Sequence, residues 1–135
     1  MGLDTTHDCW HGAYSAFNRW RNKLAEVAGY SFFTPEDSFF EAPMIDWGHI
    51  THDNLMGKWE KTPDDPLIVL IVHSDCDGEI YPIQALSLIT RLKELKDKLP
   101  DEDAGGHIGY WKDKTQQFIE GLEAAVKNNE VVGFH

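Results

Sequence analysis

Two short segments hold most of the residues that could do chemistry. One is His7-Asp8-Cys9-Trp10-His11 and the other His73-Ser74-Asp75-Cys76-Asp77-Gly78-Glu79. His7 and His11 stand four positions apart, so on a helical turn both imidazoles would leave one face and could share a divalent metal. A third ligand would come from His73, Asp75, Asp77 or Cys76, and Glu79 would then serve as general base for a metal-dependent hydrolase. The plainer alternative has His11 hydrogen-bonding near the start of a helix and His7 solvated.

Other chemistries fit less well. With His73 in first place, Asp75, Asp77 and Gly78 follow the spacing of a calcium loop. That loop needs Asp first and a bidentate Glu twelfth, where this chain has His73 and Gln84. Cys76 beside His73 or His11 would be a weak nucleophile, because neighbouring acids favour the thiol over the thiolate. His49-Ile50-Thr51-His52-Asp53 forms another polar cluster, in which Thr51 reads as a helix cap. The chain has no glycine-rich phosphate loop, no G-x-S-x-G elbow and no H-E-x-x-H helix.

The elements that would position these segments follow from hydrophobic period and punctuation. Apolar residues recur at helical spacing over 13–28 (Ala13, Phe17, Trp20, Leu24, Val27), with Arg19, Arg21 and Lys23 on the polar side. A second helix is predicted over 82–99, opened by Pro82 and stopped by Pro100, and a third over 110–128. The unbroken run Leu67–Val72 predicts a central strand over 67–73, covered on both faces. Gly2–Thr6 and Val131–Phe134 predict flanking strands, Met44–Trp47 a short strand and Asp53–Trp59 a helical turn. The rest of 30–66 is irregular and rich in aromatics, to be read as cover for a sheet edge or as a lid. The expectation is one α/β domain over 1–135, a sheet of about three strands covered by three helices. In open α/β sheets polar ligands bind beyond the strand C-termini, where loops 7–11 and 73–79 would meet if their strands were parallel neighbours.

Composition narrows the partners. Twelve Lys and Arg against 23 Asp and Glu give a net charge of −11 over 135 residues. Such a surface repels nucleic acid and anionic membranes, and docks on basic proteins or simply keeps the chain dissolved. No run approaches the roughly 18 apolar residues of a membrane helix, no secretory leader is visible, and two cysteines make no disulfide framework. The expectation is a soluble, cytoplasmic protein, with homo-oligomerisation left open.

The segments Met1–Asp4, His11–Phe17, His73–Gly78, Thr115–Phe118 and Phe134–His135 resemble a family of small uncharacterised proteins encoded by bacteriophages, prophages and some bacteria. The resemblance implies a phage or bacterial setting, with a role against host defence, and carries no catalytic residues.

Three readings follow. The first is a binding protein that sequesters a small polar, nucleotide-like ligand between loops 7–11 and 73–79. Trp10, Tyr14 or Trp47 would stack on the base, Arg19 or Arg21 would meet a phosphate, and His73 and Asp75 would read hydroxyls. Asp4, His7, His11 and Asp77 would complete the ligand-binding set. The second is an acidic inhibitor that docks on a host protein through charge. The third is the hydrolase, with His7, His11, His73, Asp75 and Asp77 as metal ligands.

Overall fold

The computed structural model describes residues 2–28, 33–34, 44–45, 65–71, 73–74, 76–105 and 108–135. The readings placed on Gly29, on the aromatics of 30–66 other than Phe33, on the 49–53 cluster and on Asp75 fall outside these residues. The described elements are strand β1 (Gly2–Asp4), a 3-10 turn (Thr6–Asp8), β2 (His11–Ala13), helix α1 (Tyr14–Val27), β3 (Phe33–Thr34), β4 (Met44–Ile45), α2 (Ile68–Ile71), β5 (Glu79–Ile80), α3 (Pro82–Lys96), α4 (Trp111–Lys127) and β6 (Val132–Gly133).

The three long helices form where the hydrophobic period placed them. Helix α3 starts at Pro82, whose missing N–H costs nothing in a first turn, and the Gln84 side chain accepts from the Tyr81 N–H at 3.0 Å. Its inner face, Ala85, Leu88, Ile89, Leu92 and Leu95, packs along α4, which buries Thr115, Phe118, Ile119, Leu122 and Ala125. Leu88, Leu92 and Leu122 are fully buried, each contributing about 2 kcal/mol. Helix α1 adds Phe17, Trp20 and Leu24 to the same core.

The predicted central strand over 67–73 is instead the one-turn helix α2. Period alone cannot separate a buried strand from a buried helical turn in so short a run, and local capping decides. Asp65 accepts from the Leu67 N–H at 2.9 Å, and the Leu70 and Ile71 N–H groups both donate to the Leu67 carbonyl at 3.0 Å. Arg21, predicted on the polar side of α1, is 2 % exposed and donates to the carbonyls of Leu70, Ile71 and His73 at the far end of α2. A buried guanidinium therefore satisfies carbonyls that a strand would have given to a neighbouring strand.

The three-stranded sheet is likewise corrected. Among the described residues the strands make three two-stranded antiparallel ladders, β1–β2, β3–β4 and β5–β6. A bridge between Thr5 and Phe134 links the first ladder to the third. The fold remains α/β, but helix packing forms its body. No helix among the described residues is long and apolar enough to cross a membrane.

The 3-10 turn lies directly on α4, and Gly121 makes that approach feasible. A Cβ on Gly121 would fall 2.8 Å from the His7 carbonyl oxygen and 3.0 Å from Cys9 Cα, and closer still to Cys9 Sγ. Gly121→Ala would gain about 1 kcal/mol of helix preference, but overpacking against backbone costs about 1–3 kcal/mol. Because the His7 carbonyl is backbone and cannot swing away, the upper end of that cost applies, and urea unfolding of the variant is expected to show a net loss of about 2 kcal/mol. Unchanged or raised stability would mean that the turn does not press on α4.

Candidate functional site

The segment His7–His11 joins β1 to β2. His7 and Asp8 take left-handed backbone angles (φ 62° and 56°) while His11 lies in a strand. The two histidines therefore do not share a helical face, and each has its own partners. His7 Nδ1 lies 2.8 Å from Thr6 Oγ1, and its Nε2 lies 3.2 Å from Glu130 Oε1 just beyond α4. His11 is exposed and stands between two carboxylates, with Nδ1 2.8 Å from Asp4 Oδ1 and Nε2 2.9 Å from Asp8 Oδ1. Those hydrogen bonds, to Asp4 first and then Asp8, hold the ring's pKa above the ordinary imidazole value. Both nitrogens must carry hydrogen to donate to both acids.

The second loop reaches this hairpin through the C-terminal strand. Asp4 and His135 exchange backbone hydrogen bonds at 3.2 and 2.9 Å, and the Gly133 N–H donates to Thr6 Oγ1 at 2.9 Å. On the other edge the Phe134 N–H donates to the Gly78 carbonyl at 3.0 Å, and Glu79 and Ile80 pair with Gly133 and Val132. The loops are thus not parallel neighbours. They flank one strand, each about 5 Å from it. Gly78 needs its positive φ of 88°, and its bare Cα leaves the His73 ring only 3.3 Å from where a Cβ would sit. That ring stacks on Phe134 with centroids 3.9 Å apart, its nitrogens 2.8 Å from the Ser74 carbonyl and 3.1 Å from the Glu79 carbonyl. Asp77 and Glu79 are exposed beside it.

The remaining predicted ligand contacts lie elsewhere or are already engaged. Trp10 is 1 % exposed and packs edge-on against Phe17, so it cannot stack on a base. Arg19 donates to the Ala104 carbonyl at 2.6 Å and Arg21 serves α2, so the two phosphate contacts expected of α1 are spent on carbonyls. Tyr14 is half-buried against the core at the start of α1. Among the described residues no three His, Cys, Asp or Glu side chains converge as a metal ion would require. His7, His11 and His73 each face different groups, and Glu79 is exposed. One participant escaped the sequence reading: Glu130 lies too far along the chain from His7 for spacing to reveal it.

Comparison with protein-family models, with curated proteins and with solved structures finds no match for this chain.

Two measurements test this geometry. A raised folded-state pKa means that His11 stabilises the fold below its unfolded value, and that this contribution fades as pH rises through the folded value. NMR titration is expected to show the His11 pKa falling towards the ordinary value in Asp4→Asn, and by less in Asp8→Asn; no change in either would contradict the clasp. For the cysteines, burial pushes the Cys9 thiol up to about 12 whereas Cys76 is exposed. Native protein treated with iodoacetamide at mildly alkaline pH should gain one adduct by mass spectrometry, on Cys76, and alkylation of Cys9 at a similar rate would show that its burial is wrong.

Proposed function

We propose that this protein is a binding protein whose working surface is the acidic end formed by the β1–β2 hairpin, the 76–79 loop and Glu130, and that its partner is a Lys- and Arg-rich protein segment. One observation carries the reading: among the described residues, Asp4, Asp8 and Glu130 at this end pair only with histidines. Asp4 and Asp8 hold His11, and Glu130 holds His7. Elsewhere several carboxylates hold permanent cations, as in Asp65 and Glu94 with Arg91, Glu123 with Lys93, Glu26 with Lys23 and Asp101 with Lys112. Histidine gives up its charge as pH rises. The end is then left with uncompensated negative charge that an incoming basic segment can neutralise.

The net charge of −11 adds long-range attraction for a basic partner and raises its association rate. The nucleotide-like ligand has less support, because Trp10, Arg19 and Arg21 are engaged in the fold. The setting proposed for the protein, a phage or bacterial cell in which the partner is a host protein, rests on the resemblance of its segments alone.

The test compares two sets of charge reversals of equal size for binding to an immobilised Lys/Arg-rich peptide. Asp8→Lys, Asp77→Lys and Glu130→Lys together are expected to weaken binding at least about tenfold, a loss near 1.4 kcal/mol. Asp97→Lys, Asp101→Lys and Glu102→Lys together should have a much smaller effect. Wild-type affinity should also rise as pH increases through the His11 pKa. Equal losses from both sets would show that net charge alone attracts the peptide and that the hairpin end has no special role.

A further inference from the structure

Helix α3 begins inside the longest stretch of this sequence without an acid or a base, residues 80–90. Part of that stretch is core, since Ala85, Leu88 and Ile89 are buried against α4 and the interior. Ile83, Leu86, Ser87 and Thr90 face outward and are exposed. A surface helix ordinarily carries charge on that side, as α4 does with Glu120, Glu123 and Lys127. Helix α3 carries none before Arg91.

Single exposed apolar residues are ordinary, whereas a contiguous group marks a contact surface. Among the described residues the exposed large apolar side chains are Tyr81, Ile83, Leu86, Tyr110 and Val131, and all but Tyr110 meet at the start of α3. Ile83 is 78 % exposed and Leu86 55 %, and three positions apart on a helix they are neighbours. Ile80 pairs with Val132 in the β5–β6 ladder, so one residue further along Tyr81 comes beside Val131. Tyr81 keeps extended angles (φ −83°, ψ 155°) and is 53 % exposed. Ile80 and Val132 are buried, so strand alternation turns Tyr81 and Val131 outward together. Tyr110 stands apart, at the other end of α4 (Trp111–Lys127) and about 25 Å from Val131.

This apolar face borders the acidic end. Glu79 is exposed and shares the outer side of β5 with Tyr81, and Glu130 directly precedes Val131. We propose that the partner of the acidic end is a basic amphipathic helix. Its Lys and Arg side meets Asp77, Glu79 and Glu130, and its apolar side seats on Tyr81, Ile83, Leu86 and Val131. The inference rests on the reading of the acidic end and adds the partner's apolar half. Charge selects such a helix over a second copy of this chain. A twofold contact through the same face would bring Glu79 and Glu130 of both copies round one apolar centre, with a net charge of −11 on each. The four apolar side chains alone fall short of the about 800 Å² that each side of a stable interface buries, so seat and acids act together.

The test measures fluorescence anisotropy of two labelled synthetic peptides of equal lysine content with the whole chain. One carries leucine at helical spacing, and the other has serine at the same positions. The protein should bind the leucine peptide at least about tenfold more tightly than the serine peptide. Ile83→Gln with Leu86→Gln changes exposed positions only, and far-UV circular dichroism checks that the variant is folded. It should bind both peptides equally, with its affinity for the serine peptide unchanged. The triple reversal Asp8→Lys, Asp77→Lys and Glu130→Lys should instead weaken both peptides alike. Equal binding of the two peptides by the wild-type chain overturns this inference and leaves the acidic end standing. So does a leucine preference that survives in the folded glutamine variant. Failure of the triple reversal to weaken either peptide overturns the acidic end, and the proposed partner with it. Sedimentation of the protein alone gives the remaining outcome: a dimer that the glutamine variant abolishes would make a second copy the occupant of this face and overturn the proposal.

Discussion

Backbone hydrogen bonds along Gly133, Phe134 and His135 hold together segments that are far apart in the chain. On one side they bind Asp4 and Thr6, on the other Gly78 to Ile80. Bringing chain ends together costs loop-closure entropy that local structure does not have to meet. Burial of Leu3, Ile80, Val132 and Phe134 beneath the same bonds offsets it. The hairpin, the histidine ring on Phe134 and the exposed acids all take their positions from this junction. Without it, Asp77 and Glu79 would have no fixed relation to Asp4, Asp8 and His11.

The helices supply a rigid body for that junction. Helix α4 contributes most, for it packs along α3, meets the hairpin turn at Gly121 and places Lys114 over Trp10. Arg21 plays a comparable part at α2. A guanidinium in the interior requires several acceptors to offset its lost hydration, and the carbonyls of Leu70, Ile71 and His73 provide them. In this way a cation written on the apparent polar side of α1 becomes an internal tie between two helices.

Charge is distributed in two ways over this body. Along the helices, acids pair with Lys or Arg across short spacings, and such exposed pairs add little stability. At the hairpin end, acids pair with histidines instead, so the local charge varies with pH. Evenly distributed acidity, of the kind that only keeps a chain dissolved, would not separate the two kinds of pairing by location.

The sequence by itself determined the three long helices, because Phe17, Trp20 and Leu24, then Leu88, Leu92 and Leu95, then Phe118, Ile119 and Leu122 repeat at a period that only a helix turns to one side. Pro82 and Pro100 marked where α3 could begin and had to stop, and the charge of −11 bounded the partners. It also singled out His7–His11 and His73–Glu79 as polar segments, but the parallel pairing that would make them meet does not form, and they lie on opposite edges of the C-terminal strand. Tertiary structure decided the rest. Leu67–Val72 carries no periodic signal, so its state depended on Asp65 and Arg21 reaching its two ends. Trp10, Arg19 and Arg21 could not be assigned to a ligand or to the core from their types, since burial and carbonyl partners depend on segments far along the chain. The pairing of His7 with Glu130, and of Lys114 with Trp10, spans more than 100 residues in each case. Local period cannot encode contacts of that range, and only packing of the finished fold brings such residues together.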